Sequence, residues 1–185
     1  MKIAAAAVHR YCLPLRARWL TATGAFTQRR GCLLRLDTDD GARAYGDCAP
    51  LPASGTETPA EAESALRAQA RRLIGRPASD ALAALDNPAS RHAPAARCAI
   101  EMALLDLLSQ HAGRPLAAYL QDPRQAAGPA ADWRAVPVNA ALGSLGEVTD
   151  AAVLAACGEC FCVLKLKVGV AAVDREIDRL RQIAG

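Results

Sequence analysis

Val163-Leu164-Lys165-Leu166-Lys167-Val168-Gly169 is the stretch on which the reading of the fold turns. Side chains on a strand alternate between two faces, so Lys165 and Lys167 share one face and Leu164, Leu166 and Val168 the other. A strand of this kind buries its apolar side against another layer and keeps its polar side for solvent or for chemistry. Immediately upstream, Glu147 to Ala156 has helical character, and before it Val136 to Leu142 reads as a strand. Downstream, Val173 to Ile183 is a second helix. Strand, helix, strand, helix is the start of a parallel α/β fold, with Cys162–Val168 as its second strand.

Further upstream the pattern changes. Ile3 to Tyr11 reads as a strand, and Pro14 to Gly31 as a long polar loop with little periodicity, the kind of segment that often serves as a lid. Cys32–Leu36 and Ala42–Asp47 form a hairpin across the turn signal Asp39-Asp40-Gly41. Ala49 to Gly55 is a loop held by prolines. Thr58 starts a helix, with Pro59 at its first position and Glu61 completing a capping box, and that helix runs to about Ile74 and stops at Gly75. A short helix over Asp80–Leu85 follows Ser79. Pro94 opens a longer one to Gln110, ended near Gly113, on which Ile100, Leu104, Leu107 and Leu108 form an apolar stripe. Pro115–Leu120 is a helical turn. Gln121 to Arg134, rich in Pro, Gly and Ala, marks a boundary. Residues 1–131 are thus expected to form an α+β domain, and 132–185 the beginning of an α/β domain.

Composition narrows the function classes. With 52% hydrophobic residues in 185, the chain is globular. A net charge of +3 and 4% aromatics provide neither an electrostatic footprint nor a stacking platform for nucleic acid. No run approaches the ~20 apolar residues of a membrane span, and the N-terminal apolar run is too short for a signal peptide. A cytoplasmic location is expected. Seven cysteines at irregular spacing are no disulfide framework. Cys157-x-x-Cys160-x-Cys162 looks like half a zinc site, but no second ligand pair follows, which favours plain thiols. His9, His92 and His111 fit no ligand spacing. No phosphate-binding glycine loop or nucleophile-elbow motif occurs.

The K-x-K strand followed by Val168-Gly169, after an α+β domain, resembles the muconate-cycloisomerase subgroup of the enolase superfamily. Gly46-Asp47-Cys48-Ala49-Pro50-Leu51-Pro52 with Thr56-Glu57-Thr58 is similar to the G-E-x-x-P-L-P…E-T stretch of o-succinylbenzoate synthases, with Asp47 in place of the usual Glu. Ala99 to Leu107 followed by Gly113-Arg114-Pro115-Leu116 resembles the long helix of the subgroup's capping domain, and Arg134 to Asn139 its first barrel strand. The resemblance implies an α+β capping domain followed by the first two βα units of an incomplete (β/α)8 TIM-type barrel. The inner face of a barrel strand lines the active site at its C-terminal end. The resemblance implies that Lys167 removes a proton α to a carboxylate and that Lys165 tunes it. Repulsion between two ammonium groups on one face is a general way to bring a lysine into the range of a general base. On spacing alone, without the resemblance, a solvent-facing strand edge, where lysines are common, is the favoured explanation of the pair.

For the whole enzyme the resemblance further implies a Mg²⁺ ion held by carboxylates on later barrel strands, a small-molecule carboxylate substrate, and loss of water to give o-succinylbenzoate, a menaquinone precursor. Dipeptide epimerisation and muconate cycloisomerisation share the same strand. Glu147, Asp150, Asp174, Glu176 and Asp178 fall in helices and are expected to be solvated, so this chain is expected to bind no metal, to be inactive alone or a non-catalytic remnant, and to self-associate through an open barrel edge. Substrate-contact candidates are Ser54, Gly55 and Thr56 in the second loop, which otherwise only turn the chain toward Thr58. Trp19 and Phe26 in the first loop are either a lid or anchors for that loop.

Overall fold

The computed structural model describes residues 1–21, 24–86, 92–121 and 136–184. The chain divides into two compact units, Met1–Trp19 with Ala25–Ala131, and Leu20–Gly24 with Asp132–Gly185. Most of the linker expected over 121–134 lies outside the described residues.

In the first unit, β1 (Ile3–Thr21), β2 (Gly24–Thr38) and β3 (Arg43–Cys48) form a sheet in that order. The stretch 14–31, expected to be a loop, is mostly strand. Its polar side chains obscured a pair of long ribbons, because an edge strand exposed to water needs no apolar alternation. Pro14 is tolerated because β1 is an edge strand, where a missing N–H need not cost a ladder bond. β2 and β3 pair antiparallel with Cys32 opposite Cys48 and Leu36 opposite Ala44. Gly41, at φ 87°, closes their turn in the left-handed region.

Leu34 and Leu36 of β2, and Ala44, Gly46 and Cys48 of β3, point into the core. Over them lies α3 (Pro94–His111), whose Ile100, Leu104 and Leu107 are fully buried. The helix approaches so closely that a Cβ on Gly46 would fall on the Ala99 carbonyl oxygen. Small buried residues on both elements, Ala44 and Gly46 on β3 and Ala96, Ala99 and Ala103 on α3, permit that contact. α3 also covers the free edge of β3: Tyr45 N donates to Asp106 Oδ2 at 3.4 Å, and Gln110 Nε2 to the Arg43 carbonyl at 2.9 Å. Behind α3 pack α1 (Pro59–Leu73) and α2 (Ala78–Ala83), with Leu66 fully buried. The capping box forms as read: Thr58 Oγ1 accepts from Glu61 N at 3.3 Å and Glu61 Oε2 from Thr58 N at 2.8 Å. The short helix α2 starts at Ala78, two residues earlier than expected, so Ser79 lies inside it. Leu116–Leu120 forms a last turn, α4.

In the second unit, β4 (Ala140–Ser144) pairs parallel with β5 (Leu164–Lys167), and each is followed by a helix, α5 (Asp150–Gly158) and α6 (Val173–Ala184). β4 begins four residues later than expected. Pro137 has no N–H to offer, and the first ladder bond is Ala140 N to the Val163 carbonyl, 3.0 Å. A bulge between Ala141 and Gly143 shifts the register by one. α5 starts at Asp150 rather than Glu147 because Thr149 caps it, accepting from Ala152 N at 3.2 Å. Ala140, Leu145, Val148 and Ala156 are this unit's buried apolar residues among those described. Among the described residues, no helix is long and apolar enough to cross a membrane.

Candidate active site

β5 is short, and its alternation puts Lys165 and Lys167 on one face, Leu164 and Leu166 on the other. Lys165, opposite Ala141, is exposed; Lys167, opposite Ser144, is half-buried. The Lys167 carbonyl accepts from Leu145 N at 2.9 Å, which ties the end of β5 to the segment following β4.

The turn after Lys167 is organised by one residue. The Glu176 carboxylate accepts from the backbone N–H of Gly169 (2.7 Å), Val170 (3.0 Å) and Ala171 (3.0 Å). Those bonds, led by Ala171, hold its pKa below the ordinary carboxylate value. Glu176 is only 8% exposed. This corrects its reading as part of a solvated helix face: α6 lacks a Ser, Thr, Asp or Asn cap, and an acid inside the first turn folds back to serve the N–H groups that precede it. The expectation holds for Glu147, Asp174 and Asp178, which are exposed, and for Asp150, whose carboxylate pairs with Arg179 at 2.8 Å on the surface. Among the described residues no group of three or more His, Cys, Asp or Glu is placed to hold a metal ion. The acidic side chains of the described residues therefore do not make a Mg²⁺ site.

In the first unit the loop after β3 is braced from β2 and β1. Arg29 donates to the carbonyls of Ala49 and of Pro50, the latter at 2.8 Å. Tyr11 Oη donates to Asp47 Oδ1 at 2.7 Å, and burial together with Asp47 pushes the phenol's pKa up. Pro52–Ser54 is a single 3-10 turn ended by Gly55 at φ 87°. Ser54 and Gly55 are exposed, with nothing within 4 Å of where a Cβ on Gly55 would stand. Thr56 is already engaged: its hydroxyl accepts from Leu51 N at 2.6 Å and donates to the Glu57 carbonyl at 3.3 Å. Trp19, 50% exposed, lies on β1, and the half-buried Phe26 on β2, so both are strand residues of the hairpin. An open groove of about 560 Å³, lined by residues such as Arg10, Arg30, Pro50 and Glu63, includes none of the seven candidate residues.

Sequence reading missed three anchoring residues: Arg29, Glu176 and Glu57. The Glu57 carboxylate accepts from Ala95 N (3.2 Å) and Ala96 N (2.9 Å), so it caps α3 from 38 residues away. Its only signal was the absence of any polar residue at Ala93, just before Pro94.

An α+β domain packed around one long helix, followed by parallel βα units whose second strand carries a lysine pair, defines the capping domain and barrel start of the enolase-superfamily enzymes. Within that class the chain belongs to the family described as MenC, N-terminal domain, whose model matches residues 3–106. A curated relative, the aromatic dipeptide epimerase of Herpetosiphon aurantiacus, is 35% identical over 106 residues, covering 56% of this chain and 30% of the relative. A mandelate racemase/muconate lactonizing protein from H. aurantiacus is similar in structure, with TM-score 0.80 and 26% identity, over 98% of this chain and 49% of that one. The dipeptide epimerase of Methylococcus capsulatus, solved with Mg and L-Arg-D-Lys, gives TM-score 0.78 and 28% identity over 99% and 50%. The chain thus spans about half the length of these solved relatives.

Proposed function

We propose that this chain supplies the capping domain and the lysine-bearing strand of an enzyme that epimerises dipeptides by moving the proton α to a carboxylate. The observation that carries this reading is the placement of Lys165 and Lys167 on one face of β5, at the C-terminal end of a strand in a parallel βα pair, where barrels of this class do their chemistry. Lys167 is the base that takes the α-proton, and Lys165 stands on the same face beside it. Ser54, Gly55 and Thr56, with Trp19 and Phe26, form the part of the cap that meets the substrate. The likeness to dipeptide epimerases at 35% and 28% identity supports the substrate class. In the M. capsulatus relative Mg accompanies the dipeptide; on this reading the ion serves here too, held by groups outside the described residues.

A second reading, o-succinylbenzoate synthase, is favoured by the Pro50-Leu51-Pro52…Glu57-Thr58 stretch and the MenC family match. It shares the proton abstraction and differs in what leaves afterwards. The test uses the longest polypeptide that carries this sequence. Dipeptides are incubated with Mg²⁺ in D₂O, and deuterium at Cα is followed by NMR, beside a dehydration assay with the synthase's substrate. Exchange that disappears in Lys167→Ala and weakens in Lys165→Ala is the expected result. Exchange that persists without Lys167 overturns the assignment, and dehydration without epimerisation selects the second reading.

A further inference from the structure

Helix α5 ends in a complete Schellman turn: the Ala156 carbonyl accepts from Phe161 N at 3.2 Å and the Cys157 carbonyl from Cys160 N at 3.0 Å. Its left-handed position, normally glycine, is held by Cys160 at φ 65°, the one positive-φ non-glycine among the described residues. A cysteine there is strained, and strain of this kind marks positions kept for a reason other than stability. Cys157, Cys160 and Cys162 are all free and exposed. Cys157 and Cys160 are also joined through their backbones by an i to i+3 bond, which brings their Cα atoms within about 7 Å. A disulfide spans Cα separations of about 4.4–6.8 Å. Cys162, with its Sγ 3.8 Å from the Cys160 carbonyl, lies next to this pair but outside the turn.

We propose that Cys157 and Cys160 form an oxidisable dithiol, a modification site whose reagent is a low-molecular-weight disulfide of the glutathione class. One thiolate attacks a sulfur of the oxidised reagent, forming a mixed disulfide and releasing one reduced thiol, which takes up the proton. The second cysteine then attacks the protein-side sulfur of the mixed disulfide and releases the second reduced thiol. Two protein thiols are oxidised to one disulfide, and one reagent disulfide is reduced to two thiols. The bridge would lock the turn that feeds into β5. The chain provides its own contrast in Cys32 and Cys48, which are cross-strand partners but buried, 5% and 0% exposed. Burial pushes both thiols up, Cys48 to about 12, so little thiolate is available to start exchange.

The test equilibrates the folded chain with mixtures of oxidised and reduced glutathione, alkylates the remaining thiols and digests after glutamate. Cleavage after Glu159 separates the two cysteines, so the bridge appears as a peptide ending at Glu159 joined to one beginning at Cys160, in which fragmentation places the alkyl group on Cys162 and leaves Cys160 as the linked residue. The expected outcome is that this linked species forms before any Cys32–Cys48 link and about tenfold faster in the folded chain than in urea, since the turn raises the effective concentration of one thiol near the other. Cys157→Ser is expected to leave Cys160 carrying one glutathione. Stable separate glutathione adducts on Cys157 and Cys160, a bridge to Cys162 instead, or equal rates folded and unfolded would each overturn the proposal.

Discussion

Replacing Glu57 by alanine should destabilise the first unit by about 3 kcal/mol. Of the first four positions of α3, Pro94 has no N–H, and Arg97 N is already bonded to the Ala93 carbonyl at 2.9 Å. The remaining two donors, Ala95 and Ala96, both end on Glu57, and they belong to residues 8% and 0% exposed, where water replaces a lost partner poorly. A hydrogen bond to a charged group contributes about 1.5–3 kcal/mol net, and a carboxylate at a helix N-terminus roughly 0.3–1 more. Two such bonds with imperfect additivity, one of them at 3.2 Å, give the figure above. Glu57→Gln keeps an acceptor oxygen but not the charge and should lose roughly half as much. Urea unfolding followed by helical circular dichroism measures both, with an unchanged m-value showing that the native state is intact. An alanine variant within about 0.5 kcal/mol of the parent, the range of ordinary surface substitutions, would show that α3 is capped some other way.

Gly46→Ala should destabilise by about 3 kcal/mol or prevent folding, because the new methyl meets the Ala99 carbonyl rather than a movable side chain; a melting temperature equal to the parent's would refute that backbone contact. Under reducing conditions Cys160→Gly should stabilise by about 1 kcal/mol by relieving its left-handed strain, and a loss of stability in the same melt would contradict the φ assigned there. Glu176 has a folded pKa below its unfolded value, so its clasp stabilises the fold above the ordinary carboxylate pKa of about 4.3 and is lost as pH falls through the lower folded value. Protection factors at Gly169, Val170 and Ala171, which correct exchange for its intrinsic slowing in acid, should therefore fall at acid pH in the parent, while Glu176→Gln should show low protection already at neutral pH; a variant as protected as the parent would rule out the carboxylate as the anchor.

The fold was legible where a local rule acts alone. Thr58, Pro59 and Glu61 specify a helix start without help from elsewhere, and the capping box forms as read. Lys165 and Lys167 share a face on the strict alternation of a strand. Reading failed where the partner lies far along the chain. The ribbon over 14–31 has no apolar alternation because it lies beyond the part of β2 that β3 covers, and its strand character comes from the end of β1 and the start of β2 pairing with each other. β4 starts at Ala140 because its neighbour's Val163 carbonyl waits there, a fact that Val136 to Leu142 does not contain. Glu57 and Arg29 looked like loop and lid residues because their acceptors and donors, Ala95, Ala96, Ala49 and Pro50, are set only by packing.

The two anchoring carboxylates suggest how such a chain holds its candidate loops. α3 begins at Ala93 without a polar cap and borrows Glu57, while α6, which follows Ala172, turns its own Glu176 back onto the N–H groups that precede it. In the first unit Glu57 directly follows Ser54, Gly55 and Thr56, so fastening it to α3 fixes one end of that loop, and Arg29 fixes the other through Ala49 and Pro50. The loop is thereby pinned at both ends while Ser54 and Gly55 stay exposed between them. In the second unit Glu176 pins the turn that begins two residues after Lys167, and the Leu145 bond to the Lys167 carbonyl holds the strand end itself. A base must sit within a fraction of an ångström of its productive geometry to transfer a proton well, and a strand end whose backbone is tied on both sides meets that need without burying the ammonium. On this argument, conservative changes at Glu57, Arg29 and Glu176 act on the proposed site through position alone: they should alter turnover and loop exchange together, whereas Lys167→Ala should alter turnover and leave loop exchange untouched.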